Sequence, residues 1–162
     1  TPIQLSQYIS TLANGGVRLE PYLLKEVYSS SSNPDTLLGD LIYAREKTIL
    51  GVVDVEKKYI DRVRYGFNQV INNGIGYGYM GNYTNSAGKT GTSQSFLDTD
   101  NDGVVDTETI STSFVGYAPG DNPIMSLVVV SPDVSLPDAN YTSQVTKRIS
   151  SRVVNSFFDI YR

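Results

Sequence analysis

Ala87-Gly88-Lys89-Thr90-Gly91-Thr92-Ser93-Gln94 sets one cation and two threonine hydroxyls between glycines and runs on into strand-type residues. On an extended backbone alternate side chains leave on opposite sides, so Thr90 and Thr92 share one side and Lys89 and Gly91 the other. The glycines let another backbone approach closely, which suits a strand that holds a peptide along its edge. A solvated Lys-Thr hairpin strand is the plainer reading, and these eight residues alone leave both open. A phosphate-binding loop is not a third, because Gly-x-x-x-x-Gly-Lys-Thr requires a glycine where this chain has Tyr83.

Composition removes whole classes of chemistry. The 162 residues suit one domain with a core of its own. Thirteen Lys and Arg against seventeen Asp and Glu give a net charge of -4, with no basic stripe for nucleic acid or for an anionic membrane surface. The absence of Cys and His excludes thiol nucleophiles, Ser/His triads, disulfides and the usual zinc sites. Any base must be Lys, Tyr, Asp or Glu. No apolar run approaches the ~20 residues of a membrane span, and any targeting segment is expected upstream of Thr1.

Outward from the central stretch, periodicity divides the chain into elements. Thr1 caps a helix with Pro2 at its first position and Ile3, Leu5, Tyr8, Ile9 and Leu12 as its apolar stripe, and Asn14-Gly15-Gly16 stops it. Val17 to Tyr28 reads as one or two strands broken at Pro21, and Ser29 to Pro34 as a surface turn. Leu37 to Gly51 is ambiguous. Asp54 caps a helix over about Val55 to Asn72, where Ile60, Val63, Phe67, Val70 and Ile71 recur at helical spacing. The Gly76 to Tyr83 run is a loop whose tyrosines either line a substrate groove or cover the neighbouring helix. Ser113 to Ala118 and Ile124 to Val130 are strands, turned at Pro119 to Asn122, and the unbroken Leu127 to Val130 suits a strand covered on both faces. A last helix over about Asn140 to Tyr161 presents Val145, Ile149, Val153, Phe157 and Ile160. The expected class is α+β: an antiparallel sheet with helices on both faces.

Lys89-Thr90-Gly91 is the third motif of the penicillin-recognising serine enzymes, and its surroundings resemble the transpeptidase domain of class B penicillin-binding proteins. Thr1-Pro2-Ile3-Gln4-Leu5 with Ala13-Asn14-Gly15-Gly16 is similar to the helix after that family's second motif. Asn73-Gly74-Ile75-Gly76 resembles the turn before the third, and Thr112 to Pro119 the next strand. The resemblance covers nearly the whole chain and implies that residues 1–162 are the C-terminal part of one such domain, in the penicillin-binding and β-lactamase-like fold. It also implies a helix of residues 55–72 on one face of the sheet and the last helix on the other.

The family's nucleophile is a Ser-x-x-Lys at a helix start, followed by a Ser-x-Asn. The two literal matches here look accidental. Ser86-Ala87-Gly88-Lys89 borrows the third-motif lysine on an extended strand, where residues three apart point to opposite sides. Ser31-Ser32-Asn33 lies in a serine-rich turn, on the wrong side of the Thr1 to Leu5 helix. Both catalytic motifs are therefore expected upstream of residue 1, and this chain by itself is expected to be inactive.

The resemblance then implies roles. Lys89 would reach the second-motif serine and add positive potential. Thr90 would bind the carboxylate of a D-alanyl-D-alanine stem peptide or of a β-lactam. Gly91 leaves room for the acyl group. The N–H of Thr92 would be one oxyanion donor and its hydroxyl a partner for the carboxylate. The parent reaction is peptidoglycan crosslinking by serine acyl transfer on the outer face of the bacterial membrane, with an anchor upstream and no required cofactor. The other functional class left open is a binding module without catalysis, either sensing β-lactams or stabilised by calcium.

One stretch departs from the family. In Asp98 to Glu108, Asp98, Asp100 and Asp102 alternate ahead of Gly103, as at the start of a calcium loop of the EF-hand kind, but Thr109 stands where the bidentate Glu belongs. Asp106 and Glu108 would have to complete the ligands. A structural calcium and a solvated acidic hairpin tip both remain open.

Overall fold

Helix α1, Pro2–Ala13, opens where the amino group and hydroxyl of Thr1 both donate to Gln4 Oε1, at 2.8 and 3.0 Å, and where Pro2 has no N–H to leave unpaired. This is seen in a computed structural model that describes residues 1–33, 35–135 and 144–161, with only the backbone of Ser135. Past Gly15 and Gly16, both at positive φ, the chain leaves on an excursion of four short strands. Strands β1, Val17–Leu19, and β2, Glu26–Tyr28, are separated at Pro21 as expected. The ambiguous stretch resolves into β3, Leu41–Ala44, and β4, Ile49–Val52. The pairings are nested, β2 with β3 inside β1 with β4, all antiparallel. Arg45 ties the middle together through an ion pair to Glu20 at 2.6 Å and a guanidinium 5.4 Å from the Tyr22 ring centre.

Helix α2 spans Lys57–Asn73, two residues later than its pattern suggests, and Glu56 rather than Asp54 precedes it. The reason lies in the tertiary contact before it: Val53 N donates to Gly16 O at 2.9 Å and Val55 N to Val53 O at 3.0 Å, so residues 53–55 turn before the helix begins. The glycine and tyrosine run is a series of turns, as read.

Next come β5, Ala87–Leu97, β6, Thr107–Ala118, and β7, Met125–Ser135, an antiparallel sheet in that order. The β5–β6 ladder is in register throughout, from Ala87↔Tyr117 to Leu97↔Thr107. Both later strands exceed their expected bounds. β6 starts at Thr107 because β5 gives it partners as far as Leu97, and β7 continues through Pro132. It can do so because, among the described residues, β7 pairs with β6 alone and its register shifts there, with Ile110↔Ser135 against Thr112↔Ser131. Asp133, at φ 47°, is fixed by its N–H donating to Ser111 Oγ at 3.1 Å and by Thr109 Oγ1 donating to its carboxylate at 2.5 Å.

Helix α3 spans Val145–Ile160; the expected start near Asn140 falls outside the described residues. Two cores sandwich the sheet. On one face Phe114 packs with Met80, Ile71 and, from α3, Val154 and Phe158. On the other, Val115, Tyr117 and Ala87 pack with Ile9 and Ala13 of α1. Each large side chain fully buried this way contributes ~1.5–3 kcal/mol. The helix that covers the face opposite α3 is thus α1. Helix α2, expected on that face, instead packs beside β5 alone of the sheet strands and sends Phe67 to one core and Ile71 to the other.

Candidate functional site

The register fixes where each motif side chain goes. Lys89 pairs with Val115 and Gly91 with Ser113, on the face of α1; Thr90 pairs with Phe114 and Thr92 with Thr112, on the face of α3. The division expected from alternation therefore holds. Thr112 in turn hydrogen-bonds Thr146 of α3, which ties that helix to the sheet beside Thr92. Lys89 and Thr92 are exposed, and Thr90 and Gly91 are half-buried. Among the described residues β5 pairs with β6 alone, so its other edge is open, and no carboxylate lies within ion-pair distance of Lys89. The ammonium donates instead to Thr90 O at 2.7 Å. Backbone groups repeat every two residues along a strand, so the Thr92 N–H lies on the side from which Lys89 reaches Thr90 O.

The start of β5 is held from several directions. Gly88 is buried, and a Cβ there would stand 2.6 Å from Phe114 Cζ, so only glycine lets that ring close beneath the strand. Asn68 of α2 donates to Ser86 O at 3.0 Å, and Arg64 donates to Gly120 O at 2.9 Å. Gly120 N donates to Asn85 O at 2.8 Å, while the Asn85 amide, donating to Asp121 at 2.8 Å, holds that carboxyl below the usual range. Asn68, Arg64 and Asn85 are positioning residues the sequence did not single out. On a polar helix face and in a loop they carry no periodic signal, although Asn68 and Arg64 do share one face of α2.

The serines of the two accidental motif matches have other occupations. Ser86 is fully buried and donates to Tyr83 O at 2.6 Å. Ser31 donates to Asn33 O at 3.0 Å and is bonded to Thr36 as well, within a turn.

In the acidic stretch the structure gathers Asp98, Asp100 and Asp102, with one oxygen of each within 4.8 Å of the others. Asp106 and Glu108 do not join them, and Glu108 sits in β6 opposite Phe96. The carboxylates serve the loop itself: Asp98 accepts from the N–H of Gly103 at 2.9 Å and of Asp102 at 3.2 Å, and Asp102 from Val104 N at 2.7 Å. The Gly103 N–H is the main reason the Asp98 carboxyl is held below its ordinary range. The loop is therefore closed by its own backbone.

Likeness to known proteins agrees with this geometry. The chain matches the penicillin binding protein transpeptidase domain over residues 1–155 and belongs to that family. It is 36% identical over 161 residues to penicillin-binding protein 2A of Bacillus subtilis, an alignment covering 99% of this chain and 22% of that protein. Among solved structures it resembles penicillin-binding protein 2B of Streptococcus pneumoniae strain R6 with a TM-score of 0.76 and 31% identity, over 99% of this chain and 25% of the other. The D,D-transpeptidase domain of a peptidoglycan glycosyltransferase from Eggerthella lenta shares the fold, with a TM-score of 0.70 at 24% identity, over 99% of this chain and 32% of that one. The chain thus spans about a fifth to a third of the relatives it matches.

Proposed function

We propose that this chain is the C-terminal part of the transpeptidase domain of a peptidoglycan D,D-transpeptidase, and that it supplies the substrate strand but not the nucleophile. The observation that carries the reading is an open-edged β5 that presents Lys89, Thr90, Gly91 and Thr92 in a family member. A stem peptide ending in D-alanyl-D-alanine, or a β-lactam mimicking it, lies along that edge. Its carboxylate is bound by Thr90 and by the Thr92 hydroxyl, and Lys89 supplies positive potential and reaches a serine of the second motif, upstream of residue 1. When the upstream nucleophilic serine attacks the carbonyl, the electron pair moves to the carbonyl oxygen. The N–H of Thr92 stabilises that oxyanion, a contribution typically worth ~3 kcal/mol. D-alanine leaves, and an amine of a neighbouring peptide resolves the acyl-enzyme into a crosslink. The place of work is the outer face of a bacterial membrane, with the anchor in the upstream part of the parent.

Labelling with a fluorescent penicillin tests this. The chain alone stays unlabelled, and the parent that includes the upstream motifs is labelled at a serine outside these residues. Stable acylation of the isolated chain at any of its own residues overturns the proposal.

A further inference from the structure

The loop between α2 and β5 meets α3 around a concavity of about 510 Å³, within the usual range of small-molecule sites. Of the loop's tyrosines, Tyr83 stacks on Phe158 with ring centres 3.9 Å apart and Tyr79 lies 4.8 Å from Phe114, both within the core beneath α3. Tyr77 does neither; it is 70% exposed and lines the concavity. Gly81 lets the two walls meet, since it sits at φ 58° and a Cβ there would stand 2.1 Å from Asn155 Oδ1. That oxygen accepts from Asn82 N at 3.2 Å, which leaves the Asn155 NH2 group unspent. The Asn82 side-chain amide and the Thr84 hydroxyl also make no hydrogen bond to a described residue.

The α3 wall is basic. Lys147, Ser151 and Asn155 follow one another at four-residue spacing and so share a face of that helix. Lys147 leans over the loop: a Cβ built on the lining residue Gly78 would stand 2.9 Å from its Cε and 3.3 Å from its Nζ. The Lys147 side chain is half-buried, and among the described residues no carboxylate lies within ion-pair distance of it. Its ammonium has the Tyr79 ring, 5.9 Å away, for company instead. Arg148 and Arg152 stand on the same helix, also without an ion pair among the described residues. No lining residue is acidic, nor is any residue of the loop from Gly74 to Ser86. In a chain of net charge -4, α3 thus carries Lys147, Arg148 and Arg152 against Asp159 alone.

A half-buried ammonium without a counter-ion gives up hydration for nothing in return, and amide and hydroxyl donors surround it with no carboxylate to repel an anion. A neutral ligand would leave the ammonium unpaired. A planar carboxylate is matched best by the fork of a guanidinium. A phosphate accepts on every side, so a point-charge ammonium and carboxamide N–H groups from both walls can each meet an oxygen. The exposed Tyr77 ring offers an apolar surface to the carbons of an ester. We infer that this concavity binds a phosphate ester, with Lys147 as counter-ion and the NH2 groups of Asn82 and Asn155 as donors. It shares no residue with the Lys89 to Thr92 strand and does not depend on how that strand is read.

Titration of the chain with glycerol 3-phosphate, followed by amide NMR, tests the site, with glycerol as the neutral control. Saturable shifts are expected at Tyr77 to Thr84 and at Lys147 to Asn155, and none with glycerol. Lys147→Met should weaken binding at least about tenfold, whereas Lys147→Arg, and Arg18→Met on β1, which removes a remote exposed cation, should change it by no more than about threefold. Sedimentation with phosphatidylglycerol vesicles, against phosphatidylcholine vesicles, separates the sources of the ester. Capture that Lys147→Met abolishes makes it a lipid headgroup, and binding of the soluble ester without capture makes it a free or polymeric phosphate. Absence of saturable shifts with glycerol 3-phosphate, an unchanged affinity in Lys147→Met, or an equal loss in Arg18→Met overturns the inference.

Discussion

Gly91 lies opposite Ser113 across the β5–β6 ladder, and a Cβ added to Gly91 would stand 2.5 Å from Ser113 Oγ. The glycine therefore serves two ends: it clears the serine on the strand behind and, in the proposed reaction, leaves the space in front for the acyl group. Ser113 can turn aside, so Gly91→Ala is expected to cost only about 1 kcal/mol, the low end for an overpacked position. Adding Ser113→Ala should restore most of it. Gly91→Val in the parent should abolish penicillin acylation even with Ser113→Ala present. Thermal melts and labelling rates of the four variants separate packing from obstruction.

Lys89 is expected to bear on activity and not on folding. It is exposed, and among the described residues its ammonium bonds only to Thr90 O, so Lys89→Ala should shift stability by no more than ~0.5 kcal/mol. In the parent the same change should slow acylation by about a hundredfold or more, the size of effect seen when one preorganised electrostatic partner is removed. Stopped-flow acylation beside a denaturant melt checks both halves, and an unchanged rate means that the motif has been misassigned.

The Tyr117 hydroxyl is a defect in the core. The side chain is wholly buried, its OH makes no hydrogen bond of ordinary geometry among the described residues, and Arg64, the nearest donor, stands 5.8 Å from the ring centre. Burial pushes the phenol's pKa up, an effect that Arg64 partly opposes. Because an unpaired buried hydroxyl costs about 1–3 kcal/mol, Tyr117→Phe should be neutral or stabilise the chain by about 1 kcal/mol. A denaturant melt that shows Tyr117→Phe clearly destabilised would mean that a bound water or ligand satisfies the hydroxyl.

Acid should loosen the tip of the β5–β6 hairpin before the sheet. The Asp98 carboxyl is depressed in the folded state, chiefly by the Gly103 N–H. A depressed pKa contributes stability that is present above the unfolded value of about 3.9 and is lost as pH falls through the folded value. The Gly103 amide resonance should therefore move at a pH below that of a free aspartate, and Asp98→Asn should remove the transition. If Gly103 titrates as an ordinary Asp neighbour does, the hydrogen bond does not form in solution.

Between α1 and α2 lies an apolar concavity of about 400 Å³ lined by Tyr8, Leu12, Val53, Val55, Tyr59 and Val63 among others, and Val55 and Tyr59 are largely exposed. The chain spans 22% of its relative's length, and this surface is expected to pack against the remainder of the parent. The isolated chain should self-associate with rising concentration in analytical ultracentrifugation, and the upstream part of the parent should suppress this. A monomer with a cooperative melt would instead make these residues a self-sufficient domain.

The sequence by itself determined much of this. Local signals of helical period, proline and glycine placed α1, α2 and the main part of α3, and the eight residues around Lys89 pointed to the strand and, read with the motifs flanking them, to its family. Alternation alone set Lys89 against Thr90, because a period of two needs no knowledge of neighbours. Tertiary structure decided the rest. The break at Pro21 signalled β1 and β2, but β3 and β4 became legible only through nested pairing between segments up to 35 residues apart, as Val17 with Val52. Pro132 could stay within β7 because that strand, among the described residues, pairs on one side only and bulges. Glu56 rather than Asp54 precedes α2 because Gly16 captures Val53. α1 rather than α2 covers the face opposite α3, a matter of which apolar stripe reaches β6 and β7. Of three similar tyrosines, only packing against Phe114 and Phe158 singled out Tyr77 as exposed. In each case the deciding term is a contact between residues far apart in sequence, and no local pattern encodes it.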